Sequence, residues 1–363
     1  MKATFNRKQV LEKLAVVQKA INSRAVLPIL SGVKWEFVEG GIRLSATDLS
    51  VWLSAFVEAE VSETGEIVLP KTVNEWLSKD NSEFIEITGK GERVSMTRVG
   101  KRGEGGKFAG MDAKEFPLMG DDFDNSYEID AEELSELGAR SAYVASTDNN
   151  LTSAARMVAD GGKLVVYAIN GFKGLSKYES LAGAQFDLVV RAKDFKDVSG
   201  LFDGTVVMSP SGSKIRFSDG RVVAVLNTLE GQLADYKSFA SRRPISSLVV
   251  DSREIVSAIS TVRIASSPVQ VKGGGDGIRQ IRLKSSRGGL IVSSVGGGES
   301  SDEVVLDAEM HGEFDFVYNS DYLTEHVSKV RGSLKIGFLD RGIAMFTDTK
   351  DSAWLGMTPP MRG

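Results

Sequence analysis

The chain contains no cysteine, which excludes disulfide staples and thiolate metal sites. Its only histidines are His311 and His326. They have no ligand spacing between them, so no metal centre is expected, and a Ser-His-Asp arrangement would have to use one of the two. Both read as solvated surface residues. No segment approaches the roughly 20 apolar residues that a membrane span needs. The opening MKATFNRKQV also lacks the apolar stretch of a signal sequence, so a cytoplasmic location is expected. Nor is positive charge in excess: 44 Lys and Arg against 49 Asp and Glu leave a net charge of −5. That balance argues against a protein coated in positive charge for tight phosphate binding, while leaving room for a local basic surface. GxSxG, HExxH and phosphate-loop patterns are missing. The glycine-rich stretches KRGEGGK (101–107) and KGGGDG (272–277) lack the strand-to-helix context and the Lys-Ser/Thr of a phosphate loop and read as loop tips. No enzymatic activity and no cofactor are therefore expected.

What the chain does have is a threefold repeat. Glycine pairs following apolar runs stand at Gly40-Gly41, Gly161-Gly162 and Gly288-Gly289. About thirty residues after each pair, a strand-like run meets a helix-like run at Leu69-Pro70, Val190-Arg191 and Val317-Tyr318. Both landmarks are spaced by 121 and then 127 residues. Two unrelated landmarks sharing one period indicate three copies of one domain. With 363 residues, 42% hydrophobic and 26% charged, the composition is that of a globular protein long enough for two or three cores.

Within each copy the order of elements is the same. In the first, Asn6 is a capping residue type, and Val10, Leu14, Val17 and Ile21 fall on one face of a helix. Lys8 and Lys19 lie about 20° apart around that helix, away from the apolar stripe, and share their face with Glu12. A hairpin around Glu39-Gly40-Gly41 follows, then the alternating run VWLSAFVEAEV, a helix KTVNEWLSK, and two closing strand pairs in FIEITGKGERVSMTRV and KFAGMDAKEFPLM. In the second copy Asp130 caps AEELSELGARSAYVAS, and Glu132, Glu133 and Glu136 crowd the start of that helix. AKDFKDVSGLF forms the second helix. In the third, SREIVSAISTVRIAS and the end of FDFVYNSDYLTEHVSKV are helical. Two helices and about eight strands per copy, joined by short hairpins, give an α+β fold with antiparallel sheets. Boundaries in the polar stretches GDDFDNS and SRRPISS divide the chain at 1–123, 124–244 and 245–363. Three such copies either stack like beads or close into an arc; if every copy presents its helices on one side, the helices line one surface and the sheets the other, and such arcs paired head-to-tail close into a ring. A ring holds DNA topologically, aided by basic side chains aimed at phosphates.

Specific landmarks then carry a family resemblance. Arg24, Leu27-Pro28-Ile29-Leu30 and Thr47-Asp48-Leu49 near the start, Phe116-Pro117 at the end of the first copy, Asp235-Tyr236 near the end of the second, and Pro360-Met361-Arg362 in the tail resemble, in this order, the bacterial DNA polymerase III beta subunit, or sliding-clamp, family. The resemblance implies a ring-shaped homodimer of three-domain subunits, with sheets outside and helices inside, each subunit forming half of the ring. Such a ring encircles double-stranded DNA without reading sequence, tethers the replicative DNA polymerase, and has no catalytic activity. A clamp-loader ATPase places it, and other clamp-motif proteins share a peptide groove between domains 2 and 3.

Carried onto this chain, the resemblance assigns the groove to Ala154, Gly171, Phe172, Lys173 and Leu175, to Ala234, Ser238 and Phe239, and to Met357, Pro359, Pro360 and Met361. DNA contact falls to Arg24, Lys71, Asn149 and Lys193, with Lys196 added by its helix position, and subunit contact to Phe108, Ile264 and Ala265. By helix position, Lys8, Lys19, Arg140, Arg253, Arg263 and Lys329 are further candidates for facing DNA. The family has His and Arg where Phe172 and Lys173 stand, Pro where Ala234 stands and Arg where Ser238 stands, and Gly174 is an extra residue. These departures keep open a phage, plasmid or resistance-type paralogue with altered partners.

Overall fold

The structure is a computed structural model. It describes all residues except 22–26, 102–104, 121–122, 124, 146–150, 171–173, 232, 234, 236, 271–276, 297–300, 352–353 and 362–363, and all side chains except, in addition, those of 175–180, 237 and 239. Seven α-helices are found among these residues: α1 (Arg7–Val17), α2 (Lys71–Lys79), α3 (Ala131–Val144), α4 (Ala192–Ser199), α5 (Lys237–Ala240), α6 (Ser252–Ala265) and α7 (Ser320–Val327). All named strand pairs are antiparallel, as short connections dictate.

Local chemistry starts the helices where the sequence signals. The Asn6 side chain accepts from the backbone N–H groups of Lys8 and Gln9 at 3.0 and 3.3 Å. Asp130 accepts from Glu132 and Glu133, and Asp251 from Arg253 and Glu254. Three short polar side chains at equivalent places thus satisfy helix donors that have no partner inside the helix. The glycine pairs turn the hairpins: Gly40, Gly161, Gly162 and Gly289 all have positive φ, which a residue with a Cβ rarely adopts.

The chain falls into two compact units that do not follow the repeat boundaries. The first comprises Met1–Gly138 and Asp194–Leu229. Its eight-stranded sheet runs Tyr127–Asp130, Thr205–Pro210, Lys214–Ser218, Val222–Asn227, Val51–Glu58, Gly41–Thr47, Val33–Val38, Gly65–Leu69, so strands of the first and second copies share one ladder through Val222↔Ala55 to Leu226↔Val51. A five-stranded sheet runs Glu60–Glu63, Lys2–Asn6, Phe84–Lys90, Arg93–Arg98, Gly106–Ala109. Phe5 from this sheet meets Trp35 from the other at 5.8 Å between ring centroids, joining the two cores. On α1, Val10, Leu14 and Val17 are buried while Lys8 and Glu12 are exposed; the α-helix ends at Val17, so Lys19 lies exposed on the 3-10 turn Gln18–Ala20 and Ile21, expected on the apolar face of the helix, is extended and half-buried beyond it. Ile29 and Leu30 pack with Phe116 and Val68, so two of the family-like landmarks meet in one small core. Helices α3 and α4 approach so closely at Gly138 that a Cβ there would lie 2.1 Å from Ser199 Oγ.

The second unit comprises Ala139–Lys193 and Glu230–Gly363. Its nine-stranded sheet runs Phe186–Arg191, Ala154–Asp160, Lys163–Ile169, Gly174–Ser180, Leu355–Thr358, Ala344–Asp348, Ser333–Phe338, Ser246–Asp251, Glu309–His311, and its four-stranded sheet Glu303–Leu306, Gly289–Val295, Gln280–Ser286, Asp315–Asn319. The core draws on α6 (Ile255, Ile259, Val262), α7 (Leu323, Val327) and Phe338, Phe346 and Trp354.

Two sequence expectations are corrected here. His326 is not solvated: it is 0% exposed, stacks on Phe346 at 4.9 Å, and its Nδ1 lies 3.0 Å from the Tyr143 hydroxyl. It sits so close to Leu355–Thr358 that a Cβ on Gly356 would be 2.6 Å from Nδ1. A single histidine on a helix gives no local sign of which face the rest of the chain covers. In the first copy, KFAGMDAKEFPLM supplies one strand, Gly106–Ala109, and a 3-10 turn, Ala113–Glu115, because Asp112 caps that turn through the Lys114 N–H and diverts the backbone from extended geometry.

Candidate functional site

Basic helix faces come first. Lys71 opens α2 directly after Pro70, whose fixed φ suits a helix start. It is exposed and pairs loosely with Glu75 one turn on, at 3.9 Å, an arrangement worth little energetically. Lys193 and Lys196 are exposed on α4, Lys8 and Arg253 on α1 and α6, and Lys19 on the 3-10 turn that follows α1. Arg140 is engaged within the second unit: it bonds Asp351 at 3.1 Å and lies over the Trp354 ring at 5.9 Å. Lys329 lies over Tyr143, and Arg263 pairs with Asp321 at 2.7 Å. Arg24 and Asn149 lie outside the described residues.

The second site is the groove region of the second unit. Residues Gly174, Leu175 and Ser176 pair with Met357, Gly356 and Leu355, so the strand after the Gly171 segment is stitched to the tail. A cluster of Leu339, Met345, Leu355 and Met357 is joined by Ala240 from α5 and by Ile343. All four are buried, so in this structure the cluster is packed core beneath the tail strand. Past the strand, Met361 N–H donates to the Val317 carbonyl at 2.7 Å, which fixes Pro359, Pro360 and Met361, all half-buried. Ser238 is exposed and bonds within its own turn, to the Asp235 carbonyl at 2.8 Å. Ala154 is fully buried, so it lends backbone at the start of its strand. Gly171, Phe172, Lys173 and Ala234 lie outside the described residues, as do the side chains of Leu175 and Phe239.

Sequence reasoning missed Leu339, Ile343 and Met345, which the alternation in the GIAMF segment could have flagged as one sheet face. It also missed the clamp that holds the Leu233 segment. Arg156 donates twice to Asp187, at 2.8 and 2.6 Å, and also to the Tyr167 hydroxyl and the Leu233 carbonyl. Hydrogen bonds from Arg156 hold the Asp187 carboxyl below its ordinary range, and burial pushes the Tyr167 phenol up.

The third site is a pair of strand edges. Gly106–Ala109 ends the five-stranded sheet, and Glu303–Leu306 ends the four-stranded sheet. An uncovered edge is a template for another strand. Phe108 is half-buried against Trp76, with ring centroids 5.9 Å apart. Ile264, at the end of α6, is 82% exposed, with Ala265 half-buried beside it. That helix end is held in place, since Arg279 Nη1 donates to the carbonyls of Arg263 and Ser266 at 2.9 and 2.8 Å.

No described group of three or more His, Cys, Asp or Glu could hold a metal ion, and no helix among the described residues is long and apolar enough to cross a membrane. The described residues present exposed basic side chains on several helices and strand edges at the ends of two sheets.

Known proteins resemble this chain over its first third in sequence model and over its whole length in fold. The model described as "DNA polymerase III beta subunit, N-terminal domain" matches residues 1–120. The beta sliding clamp of Caulobacter vibrioides is 25% identical over 354 residues, covering 92% of this chain and 91% of that protein. The Bacillus subtilis clamp is 21% identical over 277 residues, covering 71% and 73%. Among solved structures, the beta subunit from Streptococcus pyogenes superposes with a TM-score of 0.91 at 18% identity over the whole of both chains. A Pseudomonas aeruginosa sliding clamp bound to griselimycin superposes with a TM-score of 0.90 at 20% identity, again over both whole chains. Residues 1–120 thus match the beta-subunit N-terminal domain model, the chain is similar to beta sliding clamps over most of its length, and it has their fold.

Proposed function

We infer that this protein is a DNA polymerase processivity factor that acts without chemistry of its own. Two copies close into a ring around duplex DNA, each contributing three repeats bounded at 1–123, 124–244 and 245–363. The carrying observation is the agreement of backbone over the entire chain with solved beta subunits. Lys71, Lys193 and Lys196 supply diffuse cationic surface for phosphates, as do Arg24 and Asn149 by resemblance. Contacts of this kind position DNA without reading its sequence. The open edges Gly106–Ala109 and Glu303–Leu306, with Phe108, Ile264 and Ala265, seal copy to copy. The groove beside Met345 and Met357 receives an apolar peptide anchor from the replicative polymerase, the clamp-loader ATPase or other clamp-motif proteins, and the griselimycin-bound relative supports a ligand-taking surface. The work takes place in the cytoplasm and needs no cofactor.

The test is topological. Loaded by a clamp loader onto nicked circular DNA, the protein should remain bound through a high-salt wash and be lost once the circle is cut. Retention on linear DNA, or release from the intact circle by salt alone, would overturn the proposal. The departures at Phe172, Lys173, Ala234 and Ser238 favour altered peptide preference within the same role. Unchanged affinity for a standard bacterial clamp-binding peptide would exclude that refinement.

A further inference from the structure

The first unit carries an open cleft of about 830 Å³ that shares no residue with the groove, the strand edges or the basic helix faces named above. We propose that it docks a short basic segment of a partner protein, one carrying a branched or aromatic apolar anchor between its cationic residues.

The floor is apolar without any folding reason to be so. On Phe84–Lys90 the inward parity is Ile85 and Ile87, both fully buried. Phe84 has the opposite parity and is 42% exposed, and Val99, whose N–H donates to the Phe84 carbonyl at 3.1 Å, is 50% exposed. A lone exposed apolar side chain is ordinary. Here two of them adjoin in a concavity, with the half-buried Phe56 as a third wall. The Phe56 ring lies over Gly41, where a Cβ would come within 2.4 Å of it, so the wall is fixed rather than free to fold over the floor.

The rim decides the occupant. Glu58 and Glu60 both line the cleft and both are exposed. Among the described residues neither has an ion-pair partner, and the neighbouring Arg7 is committed to the Ser82 and Leu77 carbonyls at 2.8 and 3.0 Å. Two uncompensated carboxylates beside an apolar floor repel nucleic-acid phosphates and acidic peptides and attract Lys or Arg flanking an apolar anchor. The apolar floor would supply affinity and the carboxylates specificity and salt dependence.

The experiment uses the full-length protein and the fluorescein-labelled hexapeptide Lys-Arg-Leu-Phe-Lys-Arg, read by polarisation at about 50 and about 300 mM salt. The acidic hexapeptide Glu-Asp-Leu-Phe-Glu-Asp is the control. Saturable binding of the basic peptide is expected, with none of the acidic one. Phe84→Ser with Val99→Ser should weaken it about tenfold or more, and Glu58→Gln with Glu60→Gln should flatten its salt dependence. Glu58 and Glu60 are exposed, so that variant should keep its melting temperature, while the half-buried parts of Phe84 and Val99 make a modest fall expected for the serine variant, read from its melting curve beside the binding curve. Failure of the wild-type protein to bind, binding unaffected by both variants, or equal binding of the acidic peptide would each overturn the proposal. So would a fall in solution mass on Phe84→Ser with Val99→Ser, which would mean that the cleft seats a second copy of this chain.

Discussion

Ile264→Ser isolates the cohesion between copies from the stability of each copy. The Ile264 side chain is 82% exposed, so its removal should change folding stability by no more than about 0.5 kcal/mol. The helix end is independently fixed by Arg279 through the carbonyls of Arg263 and Ser266, and Ser266 caps it through its N–H to Arg263 O. If an equivalent residue on each copy is buried against its neighbour, each interface loses about 2 kcal/mol, roughly a thirtyfold rise in dissociation constant. A two-copy ring sealed at both ends loses about 4 kcal/mol, close to a thousandfold. Light scattering over a dilution series, beside a melting curve, reads both quantities. The wild-type mass should sit near twice 39.1 kDa at low micromolar concentration, and the variant should fall toward 39.1 kDa with an unchanged melting temperature. Coincident dilution curves would refute a role for Ile264 in the interface. A lowered melting temperature would refute the separation of folding from assembly.

Three further outcomes follow from the geometry. Burial pushes the Asp80 carboxyl up, but the Ser82 backbone N–H and the Arg98 guanidinium outweigh it and hold it near about 2, below its ordinary 3.8. The folded value is the lower one, so this stabilisation is complete above about pH 4 and is lost as pH falls toward 2. Asp80→Asn should flatten the melting-temperature profile across that window, and an unchanged slope would contradict it. Arg156→Ala removes the bidentate bond to Asp187 and the tie to the Leu233 carbonyl. A loss of about 1–2 kcal/mol is expected, with faster amide exchange around Leu233, and protection unchanged there would show that the segment is held otherwise. Asp251→Ala strips the cap from α6 and should cost about 1 kcal/mol in urea unfolding; a neutral result would mean that water replaces it.

Much of the architecture is legible locally because it is encoded locally. A glycine that must take positive φ, as at Gly40, Gly161 and Gly289, or a capping carboxylate such as Asp130 or Asp251, acts within a few residues of itself, and threefold recurrence makes each signal stronger. The apolar stripe Val10, Leu14, Val17 predicted the buried face of α1 for the same reason.

Sites were only half legible. The tail and the segment after Gly171 could be named from resemblance, but alternation marks only the Ile343 and Met345 part of the cluster that joins Ala240 to Met357, and no local signal brings segments more than a hundred residues apart together. Arg140 and Arg263 sit on the helices that the periodicity indicated, yet their guanidinium groups pair with Asp351 and Asp321, carboxylates contributed by distant segments.

By itself, then, the sequence determined hairpins, caps and the α+β class, since φ preferences, capping and periodicity act over one or two turns of chain. Tertiary structure alone decided that strands of the second copy are divided between two large sheets, that His326 is buried, that Ile264 is bare, and that Phe84 and Val99 open onto a carboxylate-rimmed cleft. Each of these depends on which distant surface arrives to cover a residue, and burial is a property of that pairing rather than of the residue.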